Sequence, residues 1–414
     1  MMIRRNHIIL TITSIVGPVL LFFCLVCCSE PVNTENNPNF DEDGYAVYNQ
    51  QDSVLFTPTE PAKVKFYFEV SGSMSGFFCS NAPTGFKEDV NDVLNKYPAI
   101  SEIYVMKDLK GERPDLIKED DFVKSMNSGA FGDTLGSTLV PYMIENIMAR
   151  LDVDNGEVAV FISDMIYDPA EDKTAKVLAT QYGSNIAKIL HQYGKSVCLV
   201  CATSSYIRKT GTVRAPYYYL IMGNGPQVAK VCNDISGVLE KRDRFVDNIV
   251  AGFDYGRPTY TFGAPQRCSR MNKKEPTFIE YEEEEDGDTC TIKLNINLEN
   301  YRKIITDEEY FKTAFYAQST YGTSVKYSNI EMDKKNMTAI VKLKVYGMVL
   351  DSEVLEWGLK LPNTDYTLMS EFLEGATDPN DPTKSYSVKD FCEGMFGGLT
   401  NEIKPNYILI SKKN

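Results

Sequence analysis

The chain has 414 residues, of which 43% are hydrophobic and 24% charged, a globular composition long enough for two or three domains with sizeable cores. Its formal net charge of −14, with no cluster of Lys and Arg beyond the first residues, excludes a protein built to grip a nucleic-acid backbone. An acidic surface suits a solvated, exported or cation-binding protein instead.

At the N-terminus, residues 1–7 supply Arg4 and Arg5, and residues 8–27 form an almost uninterrupted apolar run, the pattern of an export signal. The run ends in Leu25-Val26-Cys27-Cys28-Ser29, which resembles the lipobox of bacterial lipoproteins. That resemblance implies a signal peptide over 1–28, lipidation of Cys28, and a chain held to a membrane of the bacterial cell envelope by its lipid. Lipoboxes usually carry Gly, Ala or Ser where this chain has Cys27, and Cys27 is the alternative modified residue. An uncleaved anchor is the other reading, because about 20 apolar residues span a bilayer. Both readings put the remainder of the chain outside the cytoplasm.

Residues 29–60 are rich in Asn, Asp, Glu, Pro and Gln and poor in aliphatics, so they read as a flexible tether. From 61 to 252, strand-like runs alternate with helical patterns. The strands are expected at 64–70, 102–106, 158–162, 197–202 and 217–222, and the helices at 86–97, 139–151, 174–193 and 226–239. This alternation predicts an α/β fold, a doubly wound and mostly parallel sheet in three layers. After about 253 the pattern changes to period two, at 289–298, 325–330, 338–346 and 353–361, with helical stretches at 310–316 and 388–396. A β-rich, sandwich-like C-terminal domain over 253–414 is expected. The acidic run 282–288 reads as a solvated loop. Cys198 and Cys201 fall inside an apolar strand and read as packed thiols rather than a redox or zinc pair, and no disulfide framework is expected.

The strongest signal is Glu69-Val70-Ser71-Gly72-Ser73-Met74, where an apolar strand runs straight into a Ser/Gly turn. Gly72 allows the backbone to turn without a Cβ, and the oxygens of Glu69, Ser71 and Ser73 are able to converge at the strand's carboxyl end, where open α/β sheets bind ligands. Hard cations such as Mg²⁺ take oxygen ligands of this kind. The stretch resembles the metal-ion-dependent adhesion site of von Willebrand factor A domains, whose motif is Asp-x-Ser-x-Ser at the end of the first strand. The family also places a Thr before a later helix and an Asp at a following strand end, and this chain offers Gly136-Ser137-Thr138 and Phe161-Ile162-Ser163-Asp164.

By that resemblance Ser71, Ser73 and Thr138 are direct ligands of Mg²⁺ (or Mn²⁺ or Ca²⁺), while Glu69 and Asp164 act mostly through metal-bound water. Thr134 is a substitute for Thr138. Glu69 departs from the family's Asp by one methylene, so a degenerate, metal-free site is the alternative. The resemblance covers roughly 61–239 and implies adhesion or scaffolding, in which the cation binds an acidic side chain of a partner protein, rather than an enzyme. Two other classes stay open: an exported metal-dependent hydrolase using Glu69 or Asp164 as base, and a metal-free envelope scaffold. Histidine catalysis has little to draw on, because His7 lies in the signal segment and His191 in a helix pattern.

Overall fold

Alternation along one strand organises the first part of the molecule. In Lys63–Glu69, Val64, Phe66 and Phe68 point into one hydrophobic layer and Tyr67 into the other, as the two-residue period of an extended chain requires. The computed structural model describes residues 57–412 apart from 79–82, 132–135, 168–174, 264–267, 272–276, 282–288, 303, 306, 320, 349 and 362–368, together with 39–40 and 46–47. Cys28, Thr134 and the acidic run 282–288 therefore lie outside the described residues.

Two short strands, β1 (Asn39–Phe40) and β2 (Ala46–Val47), pair with each other, and the Ala46 N–H donates to Thr277 Oγ1 at 3.3 Å. Next comes a seven-stranded sheet in the order β5 (Asp115–Ile117), β4 (Ser101–Met106), β3 (Lys63–Glu69), β6 (Glu157–Ser163), β8 (Gly211–Gly223), β7 (Ser196–Arg208) and β9 (Phe245–Ala251). Helices α1 (Gly85–Leu94), α2 (Glu119–Ser128) and α5 (Gly225–Glu240) cover the face that holds Phe66 and Phe68. On the Tyr67 face lie α3 (Val140–Met148), α4 (Ala175–Tyr193) and α8 (Val388–Gly398). The expected three layers are present.

The mostly parallel sheet is not. Only β3–β4 and β3–β6 pair in parallel, while β5, β8 and β9 run against their neighbours, so the sheet is mixed. The cause is a tight hairpin: β7 continues past the apolar run to Arg208, turns through Lys209 and Thr210, and returns from Gly211 as β8, which inserts between β6 and β7. The stretch 203–214 falls between the two expected strands, yet its ends carry the ladder on beyond the core. Residues 217–219 are buried, with Tyr217 and Tyr219 on one face and Tyr218 on the other. Likewise Cys198 and Cys201 face opposite layers, and the Cys198 sulfur meets Cys232 of α5 rather than Cys201.

Helix α8 comes from the far end of the chain and packs on α4 through small residues. A Cβ on Gly394 would lie 2.4 Å from the Gly183 carbonyl oxygen, and one on Gly398 would lie 2.5 Å from that of Ala187. The remaining strands form two sheets: β10 (Tyr260–Phe262), β13 (Thr289–Asn297), β16 (Thr338–Tyr346), β15 (Ser324–Asp333), and β11 (Cys268–Met271), β12 (Phe278–Tyr281), β18 (Asn406–Lys412), β17 (Ser352–Leu359), β14 (Phe315–Ser319). Rings bridge the two, Tyr260 to Trp357 at 4.8 Å and Phe315 to Tyr327 at 5.3 Å between centroids, so their apolar faces are apposed. Short helices α6 (Glu308–Ala314) and α7 (Ser370–Leu373) complete this region.

Candidate functional site

Strand β3 ends at Glu69, and the next residues wind into consecutive turns above the sheet. The Met74 N–H donates to Ser71 O at 3.2 Å, the Ser75 N–H to Gly72 O at 3.2 Å, and the Phe77 N–H to Met74 O at 3.0 Å. Buried Met74, Phe77 and Phe78 pin the loop to the core, so Ser71 and Ser73 are held rather than floating, with their hydroxyl oxygens 2.9 Å apart. Gly72 has no positive φ. The glycine that this loop requires is Gly76, where a Cβ would sit 2.4 Å from the Tyr206 ring.

Two other elements bring their residues to the same place. Thr138 stands just before α3 and donates from Oγ1 to Ile166 O at 2.8 Å, which leaves its oxygen lone pairs available. Strand β6 ends in Ser163, followed by Asp164. Met165 then adopts the left-handed region at φ 62°, an unfavourable conformation for a non-glycine residue. That kink lets the Met165 N–H donate to Ser163 Oγ at 2.7 Å and the Ile166 N–H to Asp164 Oδ1 at 3.2 Å. Ser71, Ser73, Thr138 and Asp164 all line one cleft of about 510 Å³. Glu69 lies beneath it, fully buried.

Glu69 accepts a short hydrogen bond from Ser163 Oγ on Oε2, while its Oε1 is buried with no hydrogen-bond partner. Burial first, and the neighbouring Asp164 second, push the Glu69 carboxyl from 4.5 up to about 8, against the opposing pull of Ser163 and Ser71. Burial also raises Asp164, against hydrogen bonds from Ser73 and from the Ile166 backbone. Neither acid forms an ion pair with a Lys, Arg or His among the described residues. Two buried carboxyls without a counter-charge form an expensive arrangement unless protons or a cation accompany them.

The donor set fits a hard cation. The Ser71 and Ser73 hydroxyls are hydrogen-bonded to each other at 2.9 Å, a separation that adjacent ligands of an octahedral ion with bonds of about 2.0–2.1 Å also have. No group of three or more His, Cys, Asp or Glu able to hold a metal occurs among the described residues. A cation here would therefore rest on Ser and Thr oxygens, with Glu69 and Asp164 supplying the negative charge.

Several lining residues are not evident from the motif. Ser163, which ties Glu69 to β6, is signalled only by its place beside Asp164 at a strand end. Tyr206 comes from the β7 end of the hairpin, and Asn380 and Lys384 come from the segment before α8. His191 is exposed on α4 and does not line the cleft. No family model matches this chain, and no curated protein or solved structure is significantly similar to it.

Proposed function

We propose that this chain is a membrane-tethered lipoprotein of the bacterial cell envelope, anchored through Cys28. Its α/β part, similar to a von Willebrand factor A domain, binds a divalent cation and through it an acidic side chain of a partner protein. The observation that carries this reading is the convergence of Ser71, Ser73, Thr138 and Asp164 on one cleft above Glu69, with neither Asp164 nor Glu69 ion-paired to a cationic side chain among the described residues. Ser71, Ser73 and Thr138 would hold Mg²⁺, with Mn²⁺ or Ca²⁺ as substitutes. Glu69 and Asp164 would balance its charge and orient its waters. When bound, the ion supplies a strong electrostatic attraction for a carboxylate arriving from solvent. The role we assign is adhesion or scaffolding.

Calorimetric titration of Mg²⁺ and Mn²⁺ into the full chain in detergent, wild type beside Ser71→Ala/Ser73→Ala, tests this. Saturable binding that disappears in the double variant supports the reading. No binding by the wild type contradicts it and leaves a metal-free scaffold.

A further inference from the structure

The cleft has a wall that the strand-end motif does not provide. Its floor is built by the α/β layer, but Pro379, Asn380, Pro382 and Lys384 line its far side. This wall is pre-formed. Asn380 N donates to Asp378 Oδ1 at 2.9 Å, Thr383 N and Oγ1 donate to Asp381 Oδ1 at 3.0 and 2.7 Å, and Lys384 N donates to Asp381 O at 3.2 Å. Two prolines stiffen the segment further, and the next residue is fastened from both sides, Ser385 N donating to Phe372 O at 2.9 Å and its hydroxyl meeting Tyr218 Oη.

Lys384 is the cationic side chain that lines this cleft among the described residues. Its ammonium donates to the Glu371 carbonyl oxygen at 2.7 Å, a neutral partner that takes one of its three N–H groups. It does not neutralise the floor, since the protonation of Glu69 and Asp164 is set by burial, by each other and by their serine and backbone partners. The acid that feels Lys384 is Asp381, which also feels Arg208 and whose Oδ1 is already engaged by Thr383. Asp378 and Asp381 stand against Arg208 and Lys384 along this rim, so it adds no net negative charge opposite the buried acids of the floor, and Lys384 keeps N–H groups for a ligand.

We propose that Lys384 is a specificity residue, pairing with a second acidic group of the ligand, so that the cleft prefers a segment bearing two neighbouring carboxylates over one bearing a single carboxylate. This rests on the cation reading given above for the first carboxylate. A cleft of about 510 Å³ lies within the range that encloses a small ligand and accommodates both groups. An ammonium held on a stiff wall by its bond to the Glu371 carbonyl contributes more to such a pair than a freely moving surface lysine does.

The test uses the full chain in detergent, saturated with Mg²⁺, and compares glutarate with butyrate, a dicarboxylate and a monocarboxylate of similar reach. Wild type is expected to bind glutarate about threefold to tenfold tighter than butyrate. Lys384→Met is expected to lose that preference while Mg²⁺ affinity and Tm stay unchanged, and Lys384→Arg to keep it. An equal preference in Lys384→Met, or no preference in wild type that still binds Mg²⁺, overturns this inference alone. Failure of wild type to bind Mg²⁺ overturns the cation reading and this inference with it.

Discussion

Glu69 is the residue on which the proposed site turns, because burial and the neighbouring Asp164 raise its carboxyl well above the usual carboxylate range and so favour its protonated form when no cation is bound. Two consequences follow from the sign of the shift. In the unfolded chain this acid ionises near 4.5, so between about pH 4.5 and pH 8 the folded state holds a proton that the unfolded state has lost, and stability falls as pH rises through that window. Asp164, shifted the same way, adds to the fall. Thermal melts without divalent cations should therefore show Tm declining from about pH 5 to about pH 8, and Glu69→Gln should flatten the decline; a flat wild-type profile would count against the buried acid pair. For the same reason Mg²⁺ affinity should rise over this range and binding should release protons, seen as a heat that depends on the buffer's ionisation enthalpy. Glu69, Ser71 and Ser73 were legible because one short motif holds all three. Ser163 was not, because its role depends on strand β6 lying beside β3.

Elements were legible where their period was strong. The stretches read as 86–97, 174–193 and 226–239 are helices, and 102–106, 158–162 and 338–346 are strands, with shifts of a few residues at their ends. Strand direction was not legible, since apolar alternation is identical in parallel and antiparallel pairs, and the hairpin between Arg208 and Gly211 decides it. Helix α2 and strand β9 escaped for a different reason: α2 buries only Phe122 and Met126, and β9 is half-exposed at the sheet edge, so neither carries a strong pattern. The α4–α8 contact is an element-level feature that no local pattern announces. Gly394→Ala should force the helices apart at the Gly183 carbonyl and destabilise the protein by about 1–3 kcal/mol, measurable by denaturant unfolding. Because the 379–384 wall leads directly into α8, the same variant should also weaken ligand binding more than it weakens Mg²⁺ binding.

Over the whole molecule, the C-terminal region does two things: it forms the apposed β-sheets around Trp357, and it returns helix α8 and a cleft wall to the α/β layer. Trp357→Ala should cost about 3–5 kcal/mol through the cavity it leaves between the sheets, lowering Tm without altering cation affinity in the fraction that stays folded. The sequence located β13, β15, β16 and β17 of this region by their alternation but not β10, β11, β12, β14 or β18, and it carried no sign that the last part would reach the site, since that depends on contacts between residues far apart in the chain. What the account stands on is a cation seated at the end of β3. The most direct measurement is anomalous diffraction at the manganese edge from crystals of the full chain grown with Mn²⁺. The account predicts a single strong peak within bonding distance of the Ser71 and Ser73 hydroxyls and next to Thr138. Well-ordered Ser71 and Ser73 with no peak between them at saturating Mn²⁺, or manganese bound elsewhere instead, would contradict it.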